Sequence, residues 1–203
     1  SMSLSEKDGG LPPDNVVQDH DVILAESQRM VEMHHDRNHG AMVRIALAPC
    51  SPFSVTKKLM IESAELAEKL DVRLHTHFAE NSEDDDFSLA TFGCRPTQYL
   101  EEVGWLSKRT WVAHCVMPNH EEVHKLGAAG IGGASLGTAR MALEVATRGG
   151  AGCLGRIGEI GEISVGAVGD IAVWSLTGPA FAGAIADPIE AWLRCGPISA
   201  KHT

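Results

Sequence analysis

The stretch Leu74-His75-Thr76-His77-Phe78-Ala79-Glu80 places two imidazoles and a carboxylate at the end of an alternating apolar run. Side chains of an extended segment alternate between faces, so His75 and His77 share a face and Glu80 follows just past the strand end. A neutral imidazole binds a divalent metal, and a carboxylate three residues on can move protons for the water that the metal activates. The same residues also read as a buried strand whose histidines hydrogen-bond and whose Glu80 opens an acidic surface loop, Glu83-Asp84-Asp85-Asp86. The His-x-His spacing does not separate these readings by itself.

A second histidine ends another apolar run, Thr110-Trp111-Val112-Ala113-His114, and a third run, residues 42–48, leads into Pro49-Cys50-Ser51. Helical patterns lie between them. Ser54 is the expected N-cap of a helix carrying Val55, Leu59, Ala64, Leu66 and Leu70, and Asn119 with Glu122 forms a capping-box pattern ahead of Val123 and Leu126. Strands alternating with helices imply parallel strands joined by crossovers, and in such folds one end of the sheet carries the chemistry. Cys50, His77, Glu80 and His114 are therefore expected to converge on one rim, on either an open sheet or a closed barrel.

Other chemistry-bearing residues read as bystanders. The five cysteines are odd in number and form no CxxC pair, which favours reduced thiols. Cys50, at a strand end, either lines a substrate pocket or packs as a small hydrophobe. His34 and His35 sit side by side on a polar helix expected over residues 19–36. His120 and His124 have a metal-capable i, i+4 spacing but fall on a helix start that looks solvent-facing. Asp170 and Asp187 read as turn residues.

With 203 residues, 44% hydrophobic and 22% charged, the chain suffices for one core with a small appendage, whereas a complete barrel takes about 250. A formal net charge of -10 argues against a nucleic-acid partner and for a small molecule. No apolar run reaches the roughly 20 residues of a membrane span and no signal segment opens the sequence, so a cytoplasmic location is expected. The organisation reads as residues 1–150, an α/β unit, and residues 151–203, a smaller tail. A glycine-rich joint is expected at 127–137 and a helix at 138–148. Short strands are expected around Ile160, Ile163, Val165 and Ile171-Ala172-Val173-Trp174.

The block ALAPCSPFSVTKKLMIESAELAEKLDVRLHTHFAENSEDDDF, with Gly93-Cys94-Arg95-Pro96 and Trp111-Val112-Ala113-His114-Cys115, resembles the amidohydrolase superfamily. Its nearest branch is that of the aromatic-ring deaminases, which holds the 8-oxoguanine and guanine deaminases and the triazine hydrolases. The likeness covers residues 1 to about 133 and, more loosely, 138 to about 195, and the opening Ser1 to Asp14 looks like a loop over the active site of the 8-oxoguanine type. It implies a partial (β/α)8 TIM-type barrel with a small C-terminal β-region from a flanking sandwich, and one divalent metal, Zn²⁺ or alternatively Fe²⁺. It also implies hydrolytic release of ammonia from a purine-like ring. The implied roles are metal ligand for His77, proton carrier for Glu80, water polarisation for His114 and substrate contact for Cys50; His75 is expected to support the site or the core, with a ligand role as the alternative. The alternatives are a triazine aminohydrolase or chlorohydrolase, or a non-catalytic remnant of the family.

The pattern is incomplete. The resemblance calls for a His-x-His from a first strand and an Asp from an eighth, and neither is found, so tight metal binding is not expected of these residues alone. Strand edges left unpaired by missing strands would favour a homo-oligomer.

Overall fold

A computed structural model describes residues 1–131, 139–183, 185–196 and 199–203. By compactness the chain divides into Ser1–Gly133 and Ala134–Thr203, so the helix expected at 138–148 falls with the second unit.

The first unit is built on a three-stranded parallel sheet, β1 (Ala46–Leu47), β2 (Arg73–Phe78) and β3 (Thr110–His114), in the order β1-β2-β3. Helix α1 (His20–His34) precedes the sheet, α2 (Lys57–Leu70) joins β1 to β2, α3 (Ser82–Phe92) and α4 (Pro96–Glu102) join β2 to β3, and α5 (His120–Ala128) follows β3. Strand β2 alternates as read: Leu74, Thr76 and Phe78 are buried, while Arg73, His75 and His77 lie on the more open face. Leu74 and Phe78 join Leu59, Met60, Tyr99, Leu100, Val103, Trp105 and Val112 in one apolar core. Inside that core two polar groups find partners, Trp105 Nε1 donating to the Met60 carbonyl at 2.8 Å and Thr110 Oγ1 to the Trp105 carbonyl at 2.7 Å, whereas the buried Tyr99 hydroxyl has none among the described residues. Such pairing removes the desolvation cost that a buried N–H or hydroxyl would otherwise carry.

Three local expectations are corrected. Helix α2 is capped by Thr56, whose Oγ1 accepts from Leu59 N–H at 3.1 Å; Ser54 is buried, with its hydroxyl committed to Ser51. The acidic run 83–86 lies within α3, capped by Asn81, with Glu83, Asp84 and Asp85 in its first turn, where carboxylates suit the positive end of the helix dipole. The strand expected over 42–48 keeps only Ala46–Leu47, because the N–H and carbonyl of Ile45 both face His35 Nδ1, at 2.9 and 3.1 Å. His35 is accordingly a half-buried tie between α1 and β1, while His34 is exposed as expected.

The opening segment lies along the turn that follows β1. Ser3 and Leu4 N–H donate to the Ser54 carbonyl, Leu11 N–H to that of Phe53, and Cys50 N–H to that of Ser1. Gly10 is required here, since a Cβ would meet the Leu4 carbonyl oxygen at 2.4 Å.

The second unit contains α6 (Ala139–Glu144), which runs through a π turn (Val145–Gly149) into α7 (Gly150–Cys153), and later α8 (Pro188–Cys195). The C-terminal strands expected around Ile160, Ile163, Val165 and 171–174 are not formed among the described residues, apart from an isolated antiparallel bridge between Val173 and His202. The reason is visible in the backbone. Gly155, Gly158, Gly161 and Gly166 all have positive φ, and Ile163 and Val165 are 89% and 108% exposed, so no face is buried to hold a strand. The joint at 127–137 is helix and turn up to Gly130, and its residues from 132 on lie outside the described residues. No helix of the described residues is long and apolar enough to cross a membrane.

Candidate metal centre at the strand ends

Strand register alone would separate the two histidines. His77 pairs with Ala113 and His114 with Phe78, so simple alternation would turn His114 toward the buried side with Val112. The backbone breaks that alternation: His114 has φ 68° and Cys115 φ 53°, both left-handed. The turn brings His114 Nε2 to 2.9 Å from His77 Nδ1. After β2 the chain does the same at Ala79, φ 47°, and Glu80 Oε2 arrives 3.4 Å from His114 Nε2. Three non-glycine residues in this region cost on the order of 1–2 kcal/mol each, and strain of this kind gathers where a site needs a geometry that regular strands do not give.

Donor atoms of His77, Glu80 and His114 all lie within 4.8 Å of one another. Glu80 is 49% and His114 33% exposed, so the cluster opens to solvent. Zinc–nitrogen and zinc–oxygen distances near 2.0–2.2 Å place the ligands of one ion about 2.9–3.5 Å apart between a right angle and the tetrahedral angle, and the two close separations match that spacing. The residues thus fit a divalent ion by chemistry and by spacing. Two imidazoles and one carboxylate form an incomplete set if the carboxylate is kept for proton transfer.

The surrounding residues hold these groups in place. The Cys50 carbonyl accepts from His77 N–H at 2.9 Å and from Thr76 Oγ1 at 3.2 Å, which puts half-buried Cys50 beside the end of β2. Glu80 N–H donates to Asp84 Oδ2 at 2.8 Å, so the first turn of α3 fixes the carboxylate's backbone. Asp84 and the left-handed Ala79 were not singled out from sequence; the Asn81-x-x-Asp84 capping pattern is the signal that could have found the first. His75 is not drawn into the cluster. Its Nδ1 faces the Trp111 carbonyl at 3.2 Å and its ring stacks on Trp111 at a centroid separation of 4.8 Å. Burial holds its pKa below the ordinary imidazole range, although the Trp111 carbonyl works in the opposite direction. Burial also pushes the Cys115 thiol up, with Glu122 adding to the effect. Low nucleophilicity follows for that residue.

The chain is 57% identical over 132 residues to the 8-oxoguanine deaminase of Pseudomonas aeruginosa, an alignment covering 65% of this chain and 29% of that protein. It is 33% identical over 131 residues, 64% of this chain and 27% of the relative, to hydroxydechloroatrazine ethylaminohydrolase of Pseudomonas sp. strain ADP. Among solved structures it resembles a mutant of atrazine chlorohydrolase from Arthrobacter aurescens TC1 complexed with zinc and atraton. The TM-score is 0.90 at 28% identity, covering 98% of this chain and 57% of that one. The chain therefore spans under a third of these curated relatives' length and little over half of the solved chain. The model of the amidohydrolase family matches residues 9–134, a stretch that carries all three clustered side chains, and the chain belongs to that family.

Proposed function

We propose that the chain supplies part of the active site of a metal-dependent hydrolytic deaminase acting on a purine-like ring of the 8-oxoguanine or guanine type. The observation that carries this reading is the convergence of His77, His114 and Glu80 at the ends of two parallel strands, within a stretch 57% identical to an 8-oxoguanine deaminase. The triazine reading rests on 28–33% identity and is the weaker one. In this proposal β1, β2 and β3 belong to a partial (β/α)8 barrel, and their C-terminal ends carry the chemistry.

His77 would hold the ion, zinc or alternatively iron, with His114 beside it. A divalent metal bound there supplies Lewis acidity, which makes water acidic enough to act as a nucleophile near neutral pH. Everything else falls to the side chains. His114 Nε2 orients and polarises the attacking water. The Glu80 carboxylate takes a proton from that water and delivers it to the ring nitrogen or the departing amine, so that a C–NH₂ bond is exchanged for C=O and ammonia leaves. The exposed carboxylate, with its backbone fixed by Asp84, is free to swing between the two positions. Cys50 borders the ring.

The test is a chimera in which the aligned 132 residues replace their counterparts in the P. aeruginosa enzyme, assayed for ammonia release from 8-oxoguanine, guanine and a triazine. Turnover of the purine should persist, and Glu80→Gln should remove roughly 10²–10⁴ of it while the metal stays bound. A zinc-loaded chimera that releases no ammonia from the purines, or a Glu80→Gln variant near full activity, would refute the proposal.

A further inference from the structure

Helix α5 carries a second pair of imidazoles that the proposed reaction does not use. His120 is its first residue and His124 lies one turn on; both are exposed, and their Nε2 atoms face each other at 3.2 Å with the ring planes at 90°. They are not among the donors clustered around His77. Two nitrogens bound to one ion at about 2.0–2.1 Å stand roughly 2.9 Å apart at a right angle and about 3.3 Å apart at the tetrahedral angle. The observed separation falls between these limits. Histidines at i and i+4 share a helix face, which is the spacing by which a helix chelates a metal.

We infer that His120 and His124 form a surface chelate for an imidazole-preferring divalent ion of the first transition row, Cu²⁺, Ni²⁺ or Zn²⁺, separate from the strand-end centre. Imidazole ligands suit these ions, and copper binds tightest among them. Without metal, one N–H···N hydrogen bond spans the same gap; an ion takes the place of that hydrogen, and the ring that carried it shifts to the Nδ1–H tautomer so that both Nε2 lone pairs face the metal. The positive end of the helix dipole opposes a cation at this position, and the exposed carboxylate of Glu121 in the same turn offsets it. Asn119 caps this turn through Glu122 N–H at 3.0 Å, so the backbone carrying both histidines is already ordered before metal arrives. A chelate with little conformational cost follows.

Copper titration of the chain at pH 8 tests this, with nitrogen hyperfine structure read by electron paramagnetic resonance and a His77→Ala, His114→Ala background that silences the other centre. A two-nitrogen signal is expected. His120→Gln and His124→Gln should each weaken binding at least tenfold and should each lose as much as the double variant, because a chelate fails when either arm is removed. Unchanged affinity in the double variant overturns the inference. So does a pattern in which each single variant removes half of the sites and leaves the others at full affinity, since that marks two independent histidines. Circular dichroism matching the parent chain verifies folding, and these are exposed polar substitutions. Failure here leaves the deaminase proposal standing, and failure of the chimera leaves this one standing.

Discussion

His77, Glu80 and His114 differ in what each can lose. Removing an imidazole that holds an ion removes affinity, whereas removing one that only orients water lowers rate. In the active chimera His77→Ala should therefore cost the metal itself, read as zinc lost on passage through a chelating column. His114→Asn should retain more turnover than Glu80→Gln, because it disturbs the position of the water and leaves the proton carrier intact. Turnover falling further in His114→Asn than in Glu80→Gln would reverse the roles. Cys50 follows a different logic: its carbonyl, not its thiol, is what touches His77 N–H and Thr76 Oγ1. Cys50→Ala or Cys50→Ser should leave the backbone contact unchanged, and any effect should appear in KM for the ring and not in metal content.

Strands β2 and β3 were legible because alternation and burial agree along them, and the capping box of α5 forms as its residue types require. What sequence did not show is where a backbone leaves its period. Nothing in Ala113-His114-Cys115 announces two left-handed residues, since neither glycine nor asparagine is present, yet that turn is what sends His114 toward His77. Likewise Ser54 and Thr56 are both good caps, and tertiary burial of Ser54 decided between them. The C-terminal apolar residues had the strand period without a surface to cover, so glycine turns prevailed. The box at Asn119 gives a prediction of its own scale. Asn119→Ala leaves Glu122 N–H without its side-chain cap, while the backbone N–H at 119 still donates to the Glu122 carboxylate, so it should cost about 1 kcal/mol in chemical denaturation. Asn119→Asp should recover most of that. Equal loss in both variants would assign the effect to something other than the cap.

At the scale of the whole molecule, an excess of acidic groups meets a fold that ties its elements together through carboxylates and imidazoles. Glu62 is held below its usual range by His20, at 2.5 Å across α1 and α2, and Asp71 by Arg109, at 2.8 Å between the end of α2 and the start of β3. Glu122 is pushed up by burial, but hydrogen bonds from Arg95 and from Asn119 N–H outweigh this and leave it lowered. Each of these carboxyls contributes stability above its unfolded pKa, near 4.5 for Glu and 3.8 for Asp, and loses it as pH falls through the lower folded value. His35 acts earlier. Burial lowers its pKa from 6.5, Arg37 and Arg44 lower it further, and the Ile45 carbonyl and Asp71 oppose them. Below 6.5 the unfolded chain takes up the proton first, so stability falls from there until the folded imidazole also protonates, after which this contribution is spent. Denaturation midpoints should therefore be level between about pH 7 and 8 and decline on acidification in two stages, one below about pH 6.5 and one below about pH 4.5. His35→Gln removes the titrating group at the α1–β1 tie and should make the upper stage shallower while leaving the lower stage in place. A His35→Gln profile parallel to that of the parent chain throughout would show that this imidazole does not couple folding to pH.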